Sequence, residues 1–171
     1  MPQHRFSGRQ SHVWCSATVY QVTPSKEHAI TTAPNETASV LRAMYAAEDD
    51  YLAAGGPGTA NFDTLAPFFA PDVVLHQADA LPYGGVWRGH DGMEQFFLTM
   101  SQTWVAFEMV EQEFLSTSET AVVLTRVHAR ARSTGQELDF PILQTVRVVN
   151  GQIAEVRPFY WDTAAIVAAC A

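Results

Sequence analysis

At 171 residues, with a hydrophobic fraction of 47% and a charged fraction of 16%, the chain has the size and composition of one globular domain. A formal net charge of -8 with ten scattered basic residues argues against nucleic acid and anionic membranes as partners, since both need a concentrated positive face. No apolar run reaches membrane-spanning length, and Cys15 and Cys170 form neither a disulfide framework nor a metal-spaced pair, so a reducing cytoplasm is the expected compartment.

Residues 1–34 lack periodicity, are rich in Ser, Thr, Gln and His, and are interrupted by Pro24 and Pro34. They are expected to form a flexible extension, with the domain proper running over 35–171. Arg5 and Arg9 are not followed by a continuous apolar core, so no cleaved export signal is expected. His4, His12 and His28 fall in this extension and are set aside for chemistry.

From Glu36 to Ala54 the pattern predicts a helix, with Leu41, Tyr45, Glu48 and Leu52 on one face and Gly55-Gly56-Pro57-Gly58 as its stop. A short helical stretch over Phe62 to Phe69 is interrupted by Pro67, and Asp72 to Gln77 follows as a strand. Leu81 to Gly85 has the composition of a loop. Asp91, with Glu94 three residues on, has the form of a capping box. It is expected to open a helix whose apolar stripe is Met93, Phe96, Phe97, Met100 and Trp104. Strands are expected at about 105–115, 120–132, 137–149 and 152–160, and Asp162 is expected to cap a last short helix over 163–171. Helices first and an antiparallel run last make an α+β domain, helices on one face of the sheet.

Hairpin registers show which face is inside, because a one-residue slip inverts every side chain. A four-residue turn at 133–136 places Val127, Ala129 and Ala131 with Leu138, Phe140 and Ile142 on an apolar face, and His128, Arg130, Arg132 and Asp139 on the other. At Asn150-Gly151 a two-residue turn would bring Glu155 and Arg157 onto that apolar face. A three-residue turn with Gly151 left-handed brings Ala154, Val156, Pro158 and Tyr160 there instead, and is preferred because burying unpaired charges is costly. Gln144 is then a lone polar side chain on the inner face, either a satisfied core amide or a donor aimed into a cavity.

Phe69-Ala70-Pro71-Asp72-Val73-Val74, Trp87-Arg88-Gly89-His90-Asp91-Gly92, Val146 to Ile153 and Phe159-Tyr160-Trp161-Asp162 occur in an order and spacing that resemble the nuclear transport factor 2-like superfamily. Its members include ketosteroid isomerase, scytalone dehydratase and, on the branch this chain most resembles, the SnoaL-like polyketide cyclases. The resemblance implies a conical fold, with three helices of the N-terminal half packed on a curved mixed or antiparallel sheet around a deep pocket, and often a homodimer. It does not fix a reaction. The isomerase's general-base aspartate falls at Gln77, its acidic oxyanion donor at Gln144, and its helical tyrosine near Glu48, with Tyr45 one turn earlier. Pro158 stands where limonene epoxide hydrolase carries its final-strand aspartate, and His128 does not match the second histidine of scytalone dehydratase.

Chemistry is therefore sought beside the inherited positions. His76 and Asp79 flank Gln77, and either is a candidate base, although strict alternation would point His76 outward. Tyr45 and Gln144 are candidate oxyanion donors. Glu48 is either a solvated edge carboxylate or a pocket carboxylate with a raised pKa. Gln77, Tyr83, Trp87, Phe97, Trp104, Ala129, Phe140, Val156 and Tyr160 are assigned to core or pocket lining. His90 and Asp91 are assigned to capping, and His128, Arg130 and Asp139 to a dimer interface or cross-strand ion pair. No residues show metal-ligand spacing, and no cofactor is expected.

The function expected is a cofactor-free enzyme of the isomerase, cyclase or lyase type, acting by acid/base chemistry on a small apolar carbonyl compound. It is also expected to dimerise through the outer sheet face. The alternative is a non-catalytic small-molecule-binding or dimerisation module of the same fold. An adaptor for protein transport would need an exposed apolar partner surface.

Overall fold

The computed structural model describes residues 36–171, so the expectations for the N-terminal extension and Cys15 lie outside the described residues. Helix α1 spans Glu36–Ala53, and α2 spans Gly89–Thr103. Between them run two 3₁₀ turns, Phe62–Thr64 and Ala66–Phe68, the strand β1 (Phe69–Gln77) and the short strand β2 (Gly85–Arg88). Four long strands follow: β3 (Trp104–Ser116), β4 (Thr120–Ala131), β5 (Glu137–Val149) and β6 (Gln152–Tyr160). The C-terminal helix α3 covers Thr163–Cys170, with the Asp162 carboxylate accepting from the Ala165 amide as its N-cap.

The open, curved sheet has the order β2-β1-β6-β5-β4-β3. β1 and β6 run parallel and every other neighbouring pair is antiparallel, so the sheet is mixed. Its inner face carries two buried clusters. One lies beneath α1 and α2 around Leu41, Tyr51, Phe97 and Val123; the other lies beneath α3 around Val127, Ala129, Phe140 and Ile166.

Several local expectations are corrected. The second helical stretch is a pair of 3₁₀ turns, with Pro67 in the first turn of the second. β1 begins at Phe69 and tolerates Pro71 because its register against β6 is irregular between Phe69 and Val74. The loop before α2 ends in β2, which pairs with β1 from Val74↔Arg88 to Gln77↔Gly85. Four residues are too few to show an alternation. β2 runs straight into α2, so Arg88 takes the N-cap position with no side-chain capping bond. Asp91 lies inside the first turn, where it favours the helix dipole without capping it. His90 ties the start of α2 to β1, its Nε2 lying 3.0 Å from the Phe69 carbonyl oxygen.

The β4–β5 hairpin pairs Arg130 with Glu137 and Val127 with Phe140. That register differs by two residues from the one a turn at 133–136 gives, and an even shift leaves both faces unchanged. The β5–β6 turn has two residues: Asn150 and Gly151 both have positive φ, 52° and 76°, and Val149 pairs with Gln152. The extra residue enters beyond the turn, where the ladder shifts at Arg147/Val148 and leaves Ala154 unmatched. Past this bulge Val146 faces Val156 and Gln144 faces Pro158, while Glu155 and Arg157 stay on the outer face.

Candidate functional site

Between the inner face of the sheet and helices α1 and α2 lies a cavity of about 620 Å³. This is the size of a small-molecule site. Helical periodicity delivers the α1 wall: Leu41, Tyr45, Glu48 and Leu52 recur on one side and all border the cavity. Strand periodicity delivers the floor, with Leu75 and Gln77 from β1, Ile142 and Gln144 from β5, and Val156 and Tyr160 from β6.

Asp49, Ser101, Glu108 and Arg132 border the space, and two further sets of polar groups are hydrogen-bonded across it. In the first, the Tyr45 hydroxyl donates to Gln144 Oε1 at 2.8 Å. Glu48, one helical turn beyond Tyr45, borders the same space. Glu48 is partly exposed, and burial, followed by the neighbouring Asp49 charge, raises its pKa to about 7. The Tyr45 hydroxyl is held protonated well above its ordinary range, chiefly by burial and next by Glu48.

In the second set, the Tyr160 hydroxyl donates to Gln77 Oε1 at 3.1 Å. Burial pushes the Tyr160 pKa up to about 12 against the opposing effect of Tyr83 and Gln77. The Tyr83 hydroxyl and the Trp104 indole nitrogen lie nearby, fully buried and without a hydrogen bond of regular geometry among the described residues.

Of the sequence-derived candidates, Tyr45, Glu48, Gln77, Phe97, Trp104, Gln144, Val156 and Tyr160 line the cavity. His76 does not. Alternation along β1 puts it on the outer face, where its Nε2 lies 3.1 Å from Glu155 Oε1. Glu155 also accepts from Arg157 at 2.6 Å and pairs with Arg147 at 3.5 Å, so His76 belongs to a surface charge network. Asp79 is exposed beyond the end of β1 and does not border the cavity. Tyr83 is fully buried between Phe96 and Tyr160. Trp87 packs on Phe96 and donates its indole N–H to the Tyr83 carbonyl at 3.2 Å, behind the cavity wall. Ala129 and Phe140 do face inward, but α3 covers them, and they form the second core cluster. His128 pairs across the outer face with Asp139 at 3.2 Å.

Thr125 escaped the sequence reading. It is 2% exposed, borders the cavity, and its hydroxyl has no partner among the described residues. Extending the inward series 131, 129, 127 by one step reaches it. Met44 and Met93 also line the space and give part of the wall an adaptable surface. Among the described residues no three His, Cys, Asp or Glu side chains gather as a metal site would require, and no helix is long and apolar enough to cross a membrane.

A helix-covered, curved mixed sheet enclosing a cavity of this kind defines an α+β domain of the nuclear transport factor 2 type. The model of the SnoaL-like domain matches residues 41–156, most of the chain, and the protein belongs to that family. Among solved structures it is similar to a nuclear transport factor 2-like protein from Burkholderia xenovorans (18% identity, TM-score 0.70, 82% of this chain and all of that one, 100%). It is also similar to TerC co-crystallised with polyporic acid (16% identity, TM-score 0.66, 79% of this chain and 98% of that one). A third is a protein from Jannaschia described as a SnoaL-like polyketide cyclase (18% identity, TM-score 0.65, 82% of this chain and 96% of that one). No curated protein matches. At these identities the solved structures bear on fold alone.

Proposed function

We propose that the cavity performs proton transfer on a small apolar carbonyl compound, with Glu48 as the general base and Gln144 as the hydrogen-bond donor to the developing oxyanion. The observation that carries this reading is the cluster Glu48–Tyr45–Gln144 on the cavity wall beside the apolar floor of Ile142, Val146 and Val156. A carboxylate that titrates near neutrality is matched to abstracting a proton next to a carbonyl group. In that step the C–H electron pair becomes the C=C bond of an enolate, the carbonyl oxygen takes the negative charge, and Glu48 holds the proton until it returns to carbon. Tyr45 acts as a positioning residue: by donating to Gln144 Oε1 it fixes the amide so that the nitrogen is the group left to face ligand. This arrangement replaces His76 and Asp79 as the base. It fits isomerisation, cyclisation or dehydration, each of which begins with such a proton transfer.

The description of one structural relative as a polyketide cyclase, and the co-crystallisation of another with polyporic acid, support a small organic molecule as the occupant. The outer sheet face supports a homodimer. Leu124, Leu143 and Phe159 are direct cross-strand neighbours there and are 46%, 40% and 57% exposed.

The experiment uses a ketone with exchangeable α-protons. Acetophenone is incubated with the protein in D₂O, and loss of its methyl proton signal is followed by NMR. The wild-type chain is expected to exceed the buffer rate, and Glu48→Gln to lose about a hundredfold of that excess. Binding of acetophenone without any excess exchange would reject the catalytic reading and favour the non-catalytic binding module.

A further inference from the structure

The two polar sets in the cavity share a design. In each, a tyrosine hydroxyl donates to the Oε1 of a glutamine on the inner face: Tyr45 to Gln144, and Tyr160 to Gln77. Each bond occupies the amide oxygen and leaves the NH₂ group, with two donors, to find acceptors elsewhere. Among the described residues nothing accepts from either amide nitrogen. Gln77 is only 8% exposed, so its donors have little access to bulk water, and both glutamines border the cavity.

The sheet fixes their separation. Gln144 on β5 faces Pro158 on β6. The parallel register Leu75↔Val156 brings Gln77, two residues on along β1, level with Pro158. The amides therefore stem from one rung of the sheet, two strand spacings apart, roughly 10 Å at the backbone. Pro158 between them offers no donor, and the neighbouring floor at Leu75, Ile142, Val146 and Val156 is apolar.

We propose that the cavity recognises an elongated apolar molecule bearing acceptor oxygens at two separated positions, one held by the Gln144 amide beside Glu48 and the other by the Gln77 amide beside Tyr160. Both amides lie on one sheet, so a rigid molecule is held at two points and in one orientation. A buried donor without an acceptor is costly, and a ligand that supplies the acceptor removes that cost. This inference rests on the cavity being a ligand site, as proposed above, but not on Glu48 being a base.

The test compares 1,4-diacetylbenzene, with two acceptor oxygens, to acetophenone, with one, by NMR titration of the full chain. The diketone is expected to bind about fivefold tighter, the contribution of one neutral hydrogen bond. Gln77→Leu and Gln144→Leu should each abolish that advantage. Acetophenone affinity should fall less than that of the diketone in either variant, because a single acceptor can turn to the amide that remains. Equal affinities in the wild-type protein, or an advantage that survives either substitution, would overturn two-point recognition. Failure of both ketones to bind would overturn it as well. Each variant's fold is checked by its circular dichroism spectrum, and Gln77→Met and Gln144→Met, which keep the side-chain length but have no NH₂ donors, should repeat the loss. The diketone advantage should persist in Glu48→Gln, which separates this inference from the assignment of the base.

Discussion

The Tyr45 hydroxyl donates to Gln144 Oε1 at 2.8 Å across 99 positions of sequence, joining the first helix to the middle of the sheet. One bond thus links the fold to the site: it clamps α1 over the cavity and orients the amide on the floor. Tyr45→Phe keeps the ring, and with it the edge contact to Phe114, but leaves the Gln144 oxygen unpaired. The expected loss is about 1 kcal/mol of stability, read as a lower urea midpoint at unchanged slope. A reduced rate of methyl exchange should accompany it, because the amide is no longer held. Stability falling while exchange stays at the wild-type rate would remove Tyr45 from the site.

Glu48 makes stability depend on pH in a definite direction. Its carboxyl titrates at about 7 in the folded protein against 4.5 ordinarily, so between these values the folded chain keeps a proton that the unfolded chain releases. Stability from this group is therefore full below about pH 4.5, declines as pH rises, and has been lost above about pH 7. The loss is on the order of 3 kcal/mol. Glu48→Gln has no charge to bury, so the variant should be more stable than wild type at pH 8 and near wild type at pH 4.5. Thermal unfolding at the two pH values measures the difference, and a gap that does not change with pH would place Glu48 in ordinary solvent contact.

The same titration governs catalysis with the opposite consequence. The base acts only when deprotonated, so methyl exchange should rise through about pH 7 and then level off, following the pKa of Glu48. A profile that is flat from pH 5 to 9 would exclude this carboxylate as the base.

His76 shows why a site is harder to read from sequence than a fold. Its neighbour Gln77 lines the cavity, and one step along a strand reverses the face, so His76 joins Glu155 on the outside. Strand parity in β1 was legible and favoured that outcome. What drew attention to His76 was residue type, because histidine titrates near neutrality and Gln77 does not titrate at all. Glu48 had the converse history: its position on the helix was legible, but its titration depends on how deeply α1 is enclosed, which no local pattern encodes. The inner face of β4 to β6 was legible because an error of two residues in a hairpin leaves parity intact. The bulge at Ala154 was not, since burial demands an extra residue near the turn without saying where it enters. β2 left no signal, and its pairing depends wholly on β1. His76→Ala should accordingly leave methyl exchange within twofold of wild type and cost under about 1 kcal/mol, because the pair it breaks is partly solvated. A large loss of exchange would return His76 to the mechanism.

The outer face raises a separate question, because Leu124, Leu143 and Phe159 adjoin one another across three strands. Exposed apolar side chains in a contiguous row favour a partner over water, and a twofold axis through such a row would place Leu143 of one copy near its counterpart in the other. Charged groups frame the row: His128 with Asp139 lies toward one side, and Glu155 with Arg147 and Arg157 toward the other. Light scattering on the eluting protein should give twice the chain mass for wild type and the chain mass for Leu143→Arg. Phe159→Arg should act in the same direction. Neither substitution touches the cavity, so an unfolded variant would be recognised by its circular dichroism spectrum and not counted as a monomer. Wild-type protein that elutes at the chain mass at tens of micromolar would show that this row serves no copy of the chain.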